Sequence, residues 1–419
     1  MNIKVQVRLW GENIGTASWN EQGRYARFQY DKDFIRSGLE TSPLVMPLSS
    51  DTYSFKGLNR DTYMGLPGML ADSLPDKWGN IMISEWMAVN SISPADVTPL
   101  DRLCYTGKRG MGALEYEPMM DRDKGNGKVD VDRLAGLAAK ILDEREGFST
   151  DPDTDGMKDL ISLGSSAGGA RAKAVMAYDG STGEIRSGQV SLPEGSSHWL
   201  IKLDTETKEK KIGYCRTEYA YWRMATACGI NMTECRLLET AYGTHFMTKR
   251  FDREGSDKIH MQTLCGLAHM DFKIPGAYSY EDLFRIMRIL QMPYSDQTEM
   301  FRRAVFNVIA WNCDDHTKNI SFLMQKDGEW RLAPAYDMTF AHDPRNYWIK
   351  NHQMSIGGKT EGIGTDDLRE LAEKAGIRES SNIIKDVKTT VSEWKRFADD
   401  SGVPESTADR IGKELEGNP

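Results

Sequence analysis

The sequence has little of the chemistry that marks secreted, zinc-bound or membrane proteins. Its six cysteines are scattered over 419 residues without a C-x-x-C pair, a distribution that indicates neither a disulfide framework nor a zinc site. No apolar run is long enough to cross a membrane, and the first residues lack the apolar core of a signal peptide. These absences predict a globular protein of the reducing cytoplasm with no membrane association.

The chain also lacks an excess of positive charge. It carries 53 basic and 62 acidic side chains, which gives a formal net charge of −9. A broad surface for nucleic acid needs the opposite balance. Any contact with DNA must therefore be local or be supplied by a partner.

The distribution of apolar residues predicts an α+β fold. Residues 1–120 alternate short strands with glycine turns, and a polar, glycine-rich stretch follows. Residues 130–255 are strand-rich, whereas amphipathic helices dominate residues 256–419. The middle part is predicted to begin with a helix, one face of which is marked by Val131, Leu134, Leu137 and Ile141. From Leu160 onward the predicted elements are four strands, at Lys173 to Tyr178, His198 to Leu203, Cys235 to Glu239 and Thr244 to Phe251, and one helix at Thr217 to Cys228.

The most informative stretch reads N-C-D-D-H-T-K-N at 312–319 and is followed by A-Y-D at 335–337. Transfer of a γ-phosphoryl group needs a carboxylate that orients or deprotonates the attacking hydroxyl, together with oxygen ligands that hold Mg²⁺ against the phosphates of ATP. Asp314 fits the first role, and Asn319 and Asp337 fit the second. The alternative is a group of turn-forming Asx residues after a helix. His316 is not predicted to bind zinc, because the seven histidines show no H-E-x-x-H spacing; we expect a positively polarised group near phosphate.

Lys202 is the one charged residue in the apolar strand W-L-I-K-L at 199–203. An unpaired ammonium group in such a strand is costly, so Lys202 is predicted to have an anionic partner. Glu218 in the following helix is the leading protein candidate, and an ATP phosphate would be the ligand. The alternative is a half-exposed strand from which Lys202 points to solvent.

Residues 162–173, S-L-G-S-S-A-G-G-A-R-A-K, form a Gly/Ser-rich loop that leads into a strand. Small side chains let backbone N–H groups approach phosphate oxygens. The loop is not a Walker A motif, because Ala170 stands where that motif requires lysine and a strand follows in place of a helix. A simple turn between two strands is the alternative.

With these features in this order, the chain resembles the HipA-like serine/threonine kinases of bacterial toxin–antitoxin systems. The letters G-M-L-A-D-S-L-P-D-K-W-G at 68–79 look like the family's G-x-L-x-D-S-L-P-D-x-W-G, and S-S-A-G-G-A-R-A-K at 165–173 looks like its S-x-G-G-A-R-x-K. The resemblance covers nearly the whole chain. It implies a bilobal protein-kinase-like (PI3/4-kinase-like) fold with a HipA-type N-terminal subdomain at 1–120, an N-lobe at 130–255 and a helical C-lobe at 256–419.

Carried over residue by residue, the resemblance makes Asp314 the catalytic base, Asn319 and Asp337 the Mg²⁺ ligands, and Lys202 the phosphate-binding lysine supported by Glu218. The hinge falls at Lys249 to Phe251. The further ATP contacts that it implies are Ser166, Ala167, Gly168, Gly169, Lys249, Phe251, Gln262, His316 and Lys318. Ser166, or the adjacent Ser165, is the expected autophosphorylation site, whose modification would withdraw the loop and inactivate the enzyme.

The resemblance also implies partners. These are a small helix-turn-helix antitoxin (HipB-like), operator DNA contacted through the antitoxin complex, and a protein substrate such as an aminoacyl-tRNA synthetase, whose phosphorylation would inhibit translation. Two alternatives remain open: a non-catalytic kinase-like partner in antitoxin-mediated transcriptional autoregulation, and a small-molecule phosphotransferase. The sequence identifies neither the substrate nor the antitoxin.

Overall fold

The structure, a computed structural model, describes residues 4–75, 77–89, 91–119, 129–143, 171–187, 192, 195–206 and 211–418. Within these residues the chain is a mixed α/β protein built on two five-stranded antiparallel sheets and a helical C-terminal part. None of the helices in the described ranges has the length and apolar character needed to cross a membrane.

The first sheet belongs to the N-terminal segment. From one edge of the sheet to the other, the strand order is β4-β3-β2-β1-β5. Buried and exposed residues alternate along the first strand, which is typical of a strand with one face on a core. The strands are β1 Lys4–Leu9, β2 Glu12–Asn20, β3 Tyr25–Tyr30, β4 Thr52–Tyr53 and β5 Leu114–Glu117; the helices are α1 Lys32–Ser37, α2 Arg60–Tyr63, α3 Gly68–Ala71, α4 Lys77–Val89 and α5 Pro99–Thr106, with a 3₁₀ turn at Pro94–Asp96.

The second sheet has the order β7-β6-β8-β10-β9. Its strands are β6 Lys173–Asp179, β7 Ile185–Ser187, β8 Ser196–Lys202, β9 Cys235–Glu239 and β10 Thr244–Lys249, and the associated helices are α6 Val131–Asp143 and α7 Tyr214–Ala227. The register of β6 and β8 places Lys173 directly opposite Lys202. Side chains of directly opposed residues lie on one face of a sheet, so both lysines extend to the same side.

The C-terminal part combines short strands with helices. The short strands are β11 Arg253–Glu254, β12 Asp257–Lys258, β13 His260–Thr263, β14 Tyr278–Ser279, β15 Ser321–Met324, β16 Trp330–Leu332 and β17 Met354–Ser355. The helices are α8 Leu264–Ala268, α9 Tyr280–Ile289, α10 Tyr294–Ile309, α11 Thr365–Ala375, α12 Ser380–Ser392, α13 Trp394–Asp400 and α14 Glu405–Glu416. A three-stranded sheet, β13-β15-β16, supports the loop at 312–319.

Two hydrophobic cores hold these parts together. The larger one is continuous from the N-terminal sheet, including Val5, to the helical part, including Leu283 and Val387. The second lies under β6, β8 and β10, and α4 of the N-terminal segment contributes Trp78 and Met82 to it. The N-terminal segment is therefore packed against both remaining parts of the chain.

Candidate active site

Lys202, Glu218 and Asp337 meet where the second sheet faces the helical part. Lys202 ends β8 and its Nζ lies 2.5 Å from Glu218 Oε1 on α7; the same ammonium group contacts Asp337 Oδ1. Lys202 and Glu218 are almost fully buried, with side-chain exposures of 10% and 4%. The strand therefore does not direct Lys202 to bulk solvent.

The charges of neighbouring side chains set the protonation states of Lys202 and Asp337. Burial lowers the pKa of Lys202, but the carboxylates of Asp337 and Glu218 outweigh burial and raise that pKa above its usual range. Burial raises the pKa of Asp337, whereas Lys202 and then Lys173 lower it, and the net shift is downward. The site therefore holds a cation next to an ionised carboxylate.

The 312–319 stretch follows α10 and places Asp314 toward this cluster. Desolvation raises the pKa of the Asp314 carboxyl; His316 opposes that shift, and the charges of Asp337 and Asp315 add to it. His316 Nε2 lies 3.7 Å from Asp314 Oδ1. A carboxylate with a raised pKa is a stronger base and is suited to accept a proton.

Asn319 and Asp337 supply the oxygen atoms that Mg²⁺ prefers. Asn319 Nδ2 donates to the backbone carbonyl of Asp314 (2.8 Å), so its carboxamide oxygen is directed away from that bond. Across the described ranges, no three His, Cys, Asp or Glu side chains converge as a metal site. Two protein oxygens with the remaining positions left to phosphate and water fit Mg²⁺, which keeps several waters in its coordination shell.

Asp337 sits on strained backbone that fixes its direction. Its φ is +54°, a left-handed value uncommon for a residue with a side chain. The preceding Tyr336 anchors it, because the Tyr336 hydroxyl donates to the carbonyl of Lys318 (2.8 Å) and contacts Ser321 Oγ at 2.5 Å. The two proposed ligand segments are thus tied together through Tyr336.

His316 and Lys318 flank the ring of Phe272. The His316 ring lies 5.2 Å from it, and Lys318 Nζ lies 5.4 Å above it. His316 Nδ1 is buried and has no hydrogen-bond partner within the residues that the structure describes. A buried ring nitrogen without a partner, beside a cationic lysine, fits an anionic ligand such as a phosphate.

The two residues predicted to border the nucleotide at a hinge, Lys249 and Phe251, lie in different surroundings. Phe251 contacts Tyr336, with ring centroids 5.6 Å apart, so it lies beside the Asp337 segment. Lys249 has an exposed side chain, while its N–H donates to Glu234 O (2.9 Å) and its carbonyl accepts from Thr233 Oγ1 (2.8 Å). The N–H of Lys249 is therefore engaged within the protein, and its side chain is open to solvent.

The expectation that Gln262 faces the nucleotide needs correction. Gln262 is 1% exposed, and its Nε2 donates to the backbone carbonyl of Thr41 in the N-terminal segment. Its Oε1 accepts from Ser42 Oγ (3.4 Å), and Nε2 also lies 3.2 Å from His260 Nε2. The Nε2 and Oε1 atoms of Gln262 both form hydrogen bonds between β13 and the N-terminal segment, so neither atom is open to a ligand.

Residues 162–170 of the Gly/Ser-rich loop lie outside the described residues, and with them the sequence-predicted Ser165, Ser166, Ala167, Gly168 and Gly169. The strand that follows the loop is described and brings Lys173 into the site. This lysine is 2% exposed, and its charge helps to lower the pKa of Asp337. The register opposite Lys202 is visible only in the structure, whereas the signal in the sequence is a lysine at the start of an apolar strand.

Sequence reasoning also missed two supporting residues. Asp72 of the N-terminal motif accepts from both the N–H and the Oγ1 of Thr263, each at 2.7 Å, at the start of α8. Burial raises the pKa of Asp72 to about 6, and the charge of Lys318 opposes that shift. Asp315 is a buried residue of the 312–319 stretch, and its partner His352 is too distant in sequence for spacing to reveal it.

Comparison with known proteins places these features in a family. The model described as HipA-like C-terminal domain matches residues 165–395, and the model described as HipA N-terminal domain matches residues 5–117. A Haemophilus influenzae protein described as "Putative kinase" is 30% identical over 208 residues. That alignment covers 43% of this chain and 61% of the relative, so the chain spans less than two thirds of that relative's length.

Two further comparisons cover more of the chain. The serine/threonine-protein kinase toxin HipA of Shewanella oneidensis is 23% identical over 361 residues, which are 80% of this chain and 75% of that protein. A chain of the S. oneidensis complex of HipA, HipB and operator DNA matches with a TM-score of 0.68 at 17% identity, covering 98% of this chain and 95% of that one. The structural match shows a shared fold.

Proposed function

The chain belongs to the HipA family, and from that premise we propose that it is an ATP- and Mg²⁺-dependent protein serine/threonine kinase. The observation that carries the proposal is the position of Lys202, which bridges Glu218 and Asp337. A lysine held by a helix glutamate beside a metal-binding aspartate is the arrangement that positions ATP phosphates in kinases.

The residues then divide the work of phosphoryl transfer. Asp314 accepts the proton of the substrate hydroxyl as that hydroxyl attacks the γ-phosphorus, while the bond from the γ-phosphorus to the bridging oxygen breaks and ADP leaves. Lys202 balances charge on the phosphates. His316 and Lys318 supply further positive or polarised groups on the same loop. Asn319 and Asp337 would hold Mg²⁺, which when bound neutralises phosphate charge and orients the β- and γ-phosphoryl groups.

The proposal includes a bilobal, kinase-like arrangement. The strand-rich part at 130–255 would form the N-lobe, and 256–419 the helical C-lobe, with 1–120 as the HipA-type N-terminal subdomain. The ligand-facing residues lie where the second sheet meets the helical part, which supports a nucleotide cleft between lobes. Lys249 and Phe251 would border the adenine, and Ser166, Ala167, Gly168 and Gly169 would cover the phosphates.

We include the regulation and partners expected of a toxin kinase in the proposal. Ser166, or Ser165, would be autophosphorylated, which would withdraw the Gly/Ser-rich loop. A HipB-like antitoxin would bind the protein and carry the contacts with operator DNA, consistent with the net charge of −9. All six cysteines are free thiols, which fits action in a reducing cytoplasm on a protein of the translation apparatus.

Transfer of labelled phosphate from ATP tests the activity. Purified protein and a cell lysate are incubated with γ-labelled ATP and Mg²⁺, and label is measured in protein and metabolite fractions. We expect label in protein, and a loss of several orders of magnitude in rate for Asp314→Asn and Asp337→Asn. Asp366→Asn, a change of the same chemistry at a side chain that is 95% exposed, should keep the wild-type rate.

The other outcomes of that experiment are equally informative. Label confined to small molecules would indicate that the protein is a small-molecule phosphotransferase and not a protein kinase. Absence of transfer, together with ATP binding in calorimetry that does not depend on Mg²⁺, would favour the non-catalytic kinase-like partner. Label on Ser166 that is unchanged in Asp314→Asn would refute the assignment of the base.

A further inference from the structure

A buried polar network lies directly beneath Asp314. The side chain of Asp315 has no solvent exposure, and that of His352 is 5% exposed. Asp315 Oδ2 accepts from Tyr280 OH (2.8 Å) and from His352 Nδ1 (3.1 Å), and Asp315 Oδ1 accepts from the N–H of Gln353 (2.7 Å). A buried carboxylate that accepts three hydrogen bonds is strongly fixed in place.

The network continues to both sides of this carboxylate. The Tyr280 hydroxyl accepts from Asn307 Nδ2 (2.9 Å), and Asn307 Oδ1 accepts from Asn312 Nδ2 (2.8 Å). On the other side, His352 Nε2 lies 3.9 Å from Cys313 Sγ. The residues immediately before and after Asp314 are therefore both held from below, by groups on α9, on α10 and next to β17.

This arrangement determines where Asp314 can point. Cys313 and Asp315 are buried, whereas the Asp314 side chain between them is 46% exposed, so anchoring Asp315 in the core leaves Asp314 directed outward. The backbone adds support, because the N–H of Cys313 donates to the carbonyl of Ala341 (3.0 Å). A misplacement of about 1 Å at a reacting group can cost roughly a hundredfold in rate.

We propose that the buried Asp315–His352 pair is a positioning element that holds the 312–316 loop so that Asp314 faces the phosphate acceptor. The inference rests on the proposed kinase function and extends it to residues that need not touch ATP, metal or substrate. The pair acts through the loop backbone. Its removal should change the turnover step more than the binding of nucleotide, because Lys202, Glu218 and Asp337 are anchored on other elements.

The test compares Asp315→Asn and His352→Gln with the wild type in steady-state kinetics. We expect kcat to fall tenfold or more in each, with the KM for ATP and the Mg²⁺ dependence changed less than threefold. The double variant should be no more than about twofold slower than the slower single variant, because either change removes the same support. Tyr280→Phe, which removes one hydrogen bond to Asp315 and keeps the ring, should reduce kcat severalfold.

Controls separate positioning from general stability. His260→Gln removes another fully buried histidine, one that bonds the carbonyl of Thr41 away from this loop, and should lower thermal stability while keeping kcat. Active-site concentration is fixed for every variant by calorimetric ATP titration. A kcat within twofold of wild type for folded His352→Gln would overturn the proposal.

Hydrogen exchange gives a readout that does not depend on activity. In both single variants we expect faster amide exchange at 311–319 and 351–354, with exchange in β8 and α7 unchanged. If the wild type transfers no phosphate, the proposed function fails, and this measurement still decides the role of the pair. Unchanged exchange at 311–319 in the variants would refute the positioning role whether or not the protein is a kinase.

Discussion

The indole Nε1 of Trp78 donates a 3.0 Å hydrogen bond to the backbone carbonyl of Lys173. Trp78 comes from the N-terminal motif, whereas Lys173 begins the strand after the Gly/Ser-rich loop. The indole is fully buried in the core beneath the second sheet, together with Ile201 of β8. The N-terminal segment therefore supports the sheet that carries both site lysines, which gives its sequence motif a physical role.

Trp78→Phe should destabilise the protein by about 1–3 kcal/mol, because the buried carbonyl of Lys173 loses its donor. Trp78→Ala should cost about 3–5 kcal/mol, since it also leaves a cavity. Urea unfolding measures both values. Trp348→Phe, at an indole that is 46% exposed, is the control and should leave the unfolding midpoint unchanged. Equal midpoints for Trp78→Phe and the wild type would mean that the bond contributes nothing.

Lys202→Met should be costly for stability as well as activity. Removing the ammonium leaves the buried Glu218 carboxylate without its cation, and breaking a buried pair in this way costs about 3–5 kcal/mol. Lys202→Met/Glu218→Leu removes both charges and should recover much of that stability while phosphate transfer stays absent. The comparison needs urea unfolding and labelled-ATP assays on the same preparations. A double variant less stable than Lys202→Met would contradict this account of the pair.

The local pattern of apolar and polar residues was enough to predict the strands and the helix that carry the site residues. The strand predicted at Cys235 to Glu239 is confirmed, and the strand predicted at Lys173 to Tyr178 extends by one residue, to Asp179. The helix predicted at Thr217 to Cys228 runs from Tyr214 to Ala227. It starts earlier because Gly213, at φ +76°, provides the turn before it, and no apolar period marks that first turn.

The residues that sequence reasoning misplaced or missed depend on contacts between distant segments. Gln262 follows the hinge in the chain, yet Thr41 and Ser42 of the N-terminal segment turn its side chain away. Asp315 and His352 are 37 residues apart, and no periodicity connects them. Spacing identifies polar residues grouped on one loop, but a partner brought in by tertiary packing leaves no local signal.

Asp252 should be among the most sensitive charged residues for stability. It bonds two buried arginines, Arg250 and Arg253, each at 2.7 Å, and accepts from the N–H of Gly112 (2.7 Å). Asp252→Asn leaves two guanidinium groups without their carboxylate and should cost about 3–5 kcal/mol. Asp33→Asn breaks an exposed pair with Arg36 and is the matched control, with no measurable change expected. Similar unfolding midpoints for the two variants would refute the role of the Asp252 cluster.

His352→Gln should change the dependence of stability on pH. Burial lowers the pKa of His352, but Asp315 outweighs burial and raises that pKa to about 10, against roughly 6.5 in an unfolded chain. A raised pKa contributes stability that is fully present below pH 6.5 and is lost as pH rises through 10. At pH 6 the variant should be less stable by about 3–5 kcal/mol, because it leaves Asp315 without a cation.

The difference in the free energy of unfolding between the wild type and His352→Gln should therefore shrink steadily from pH 6.5 to pH 10, since only the wild type loses the stability that protonated His352 contributes. Urea unfolding at pH 6, 7.5, 9 and 10 measures it. Other alkaline titrations affect both proteins and cancel in the difference. Asp315→Asn should lose less stability than the wild type between pH 6.5 and pH 10. When the Asp315 carboxylate is absent, burial keeps His352 neutral in the folded state. A difference that stays constant over this range would show that His352 is neutral in the native protein, and the ion pair beneath Asp314 would then be a neutral hydrogen bond.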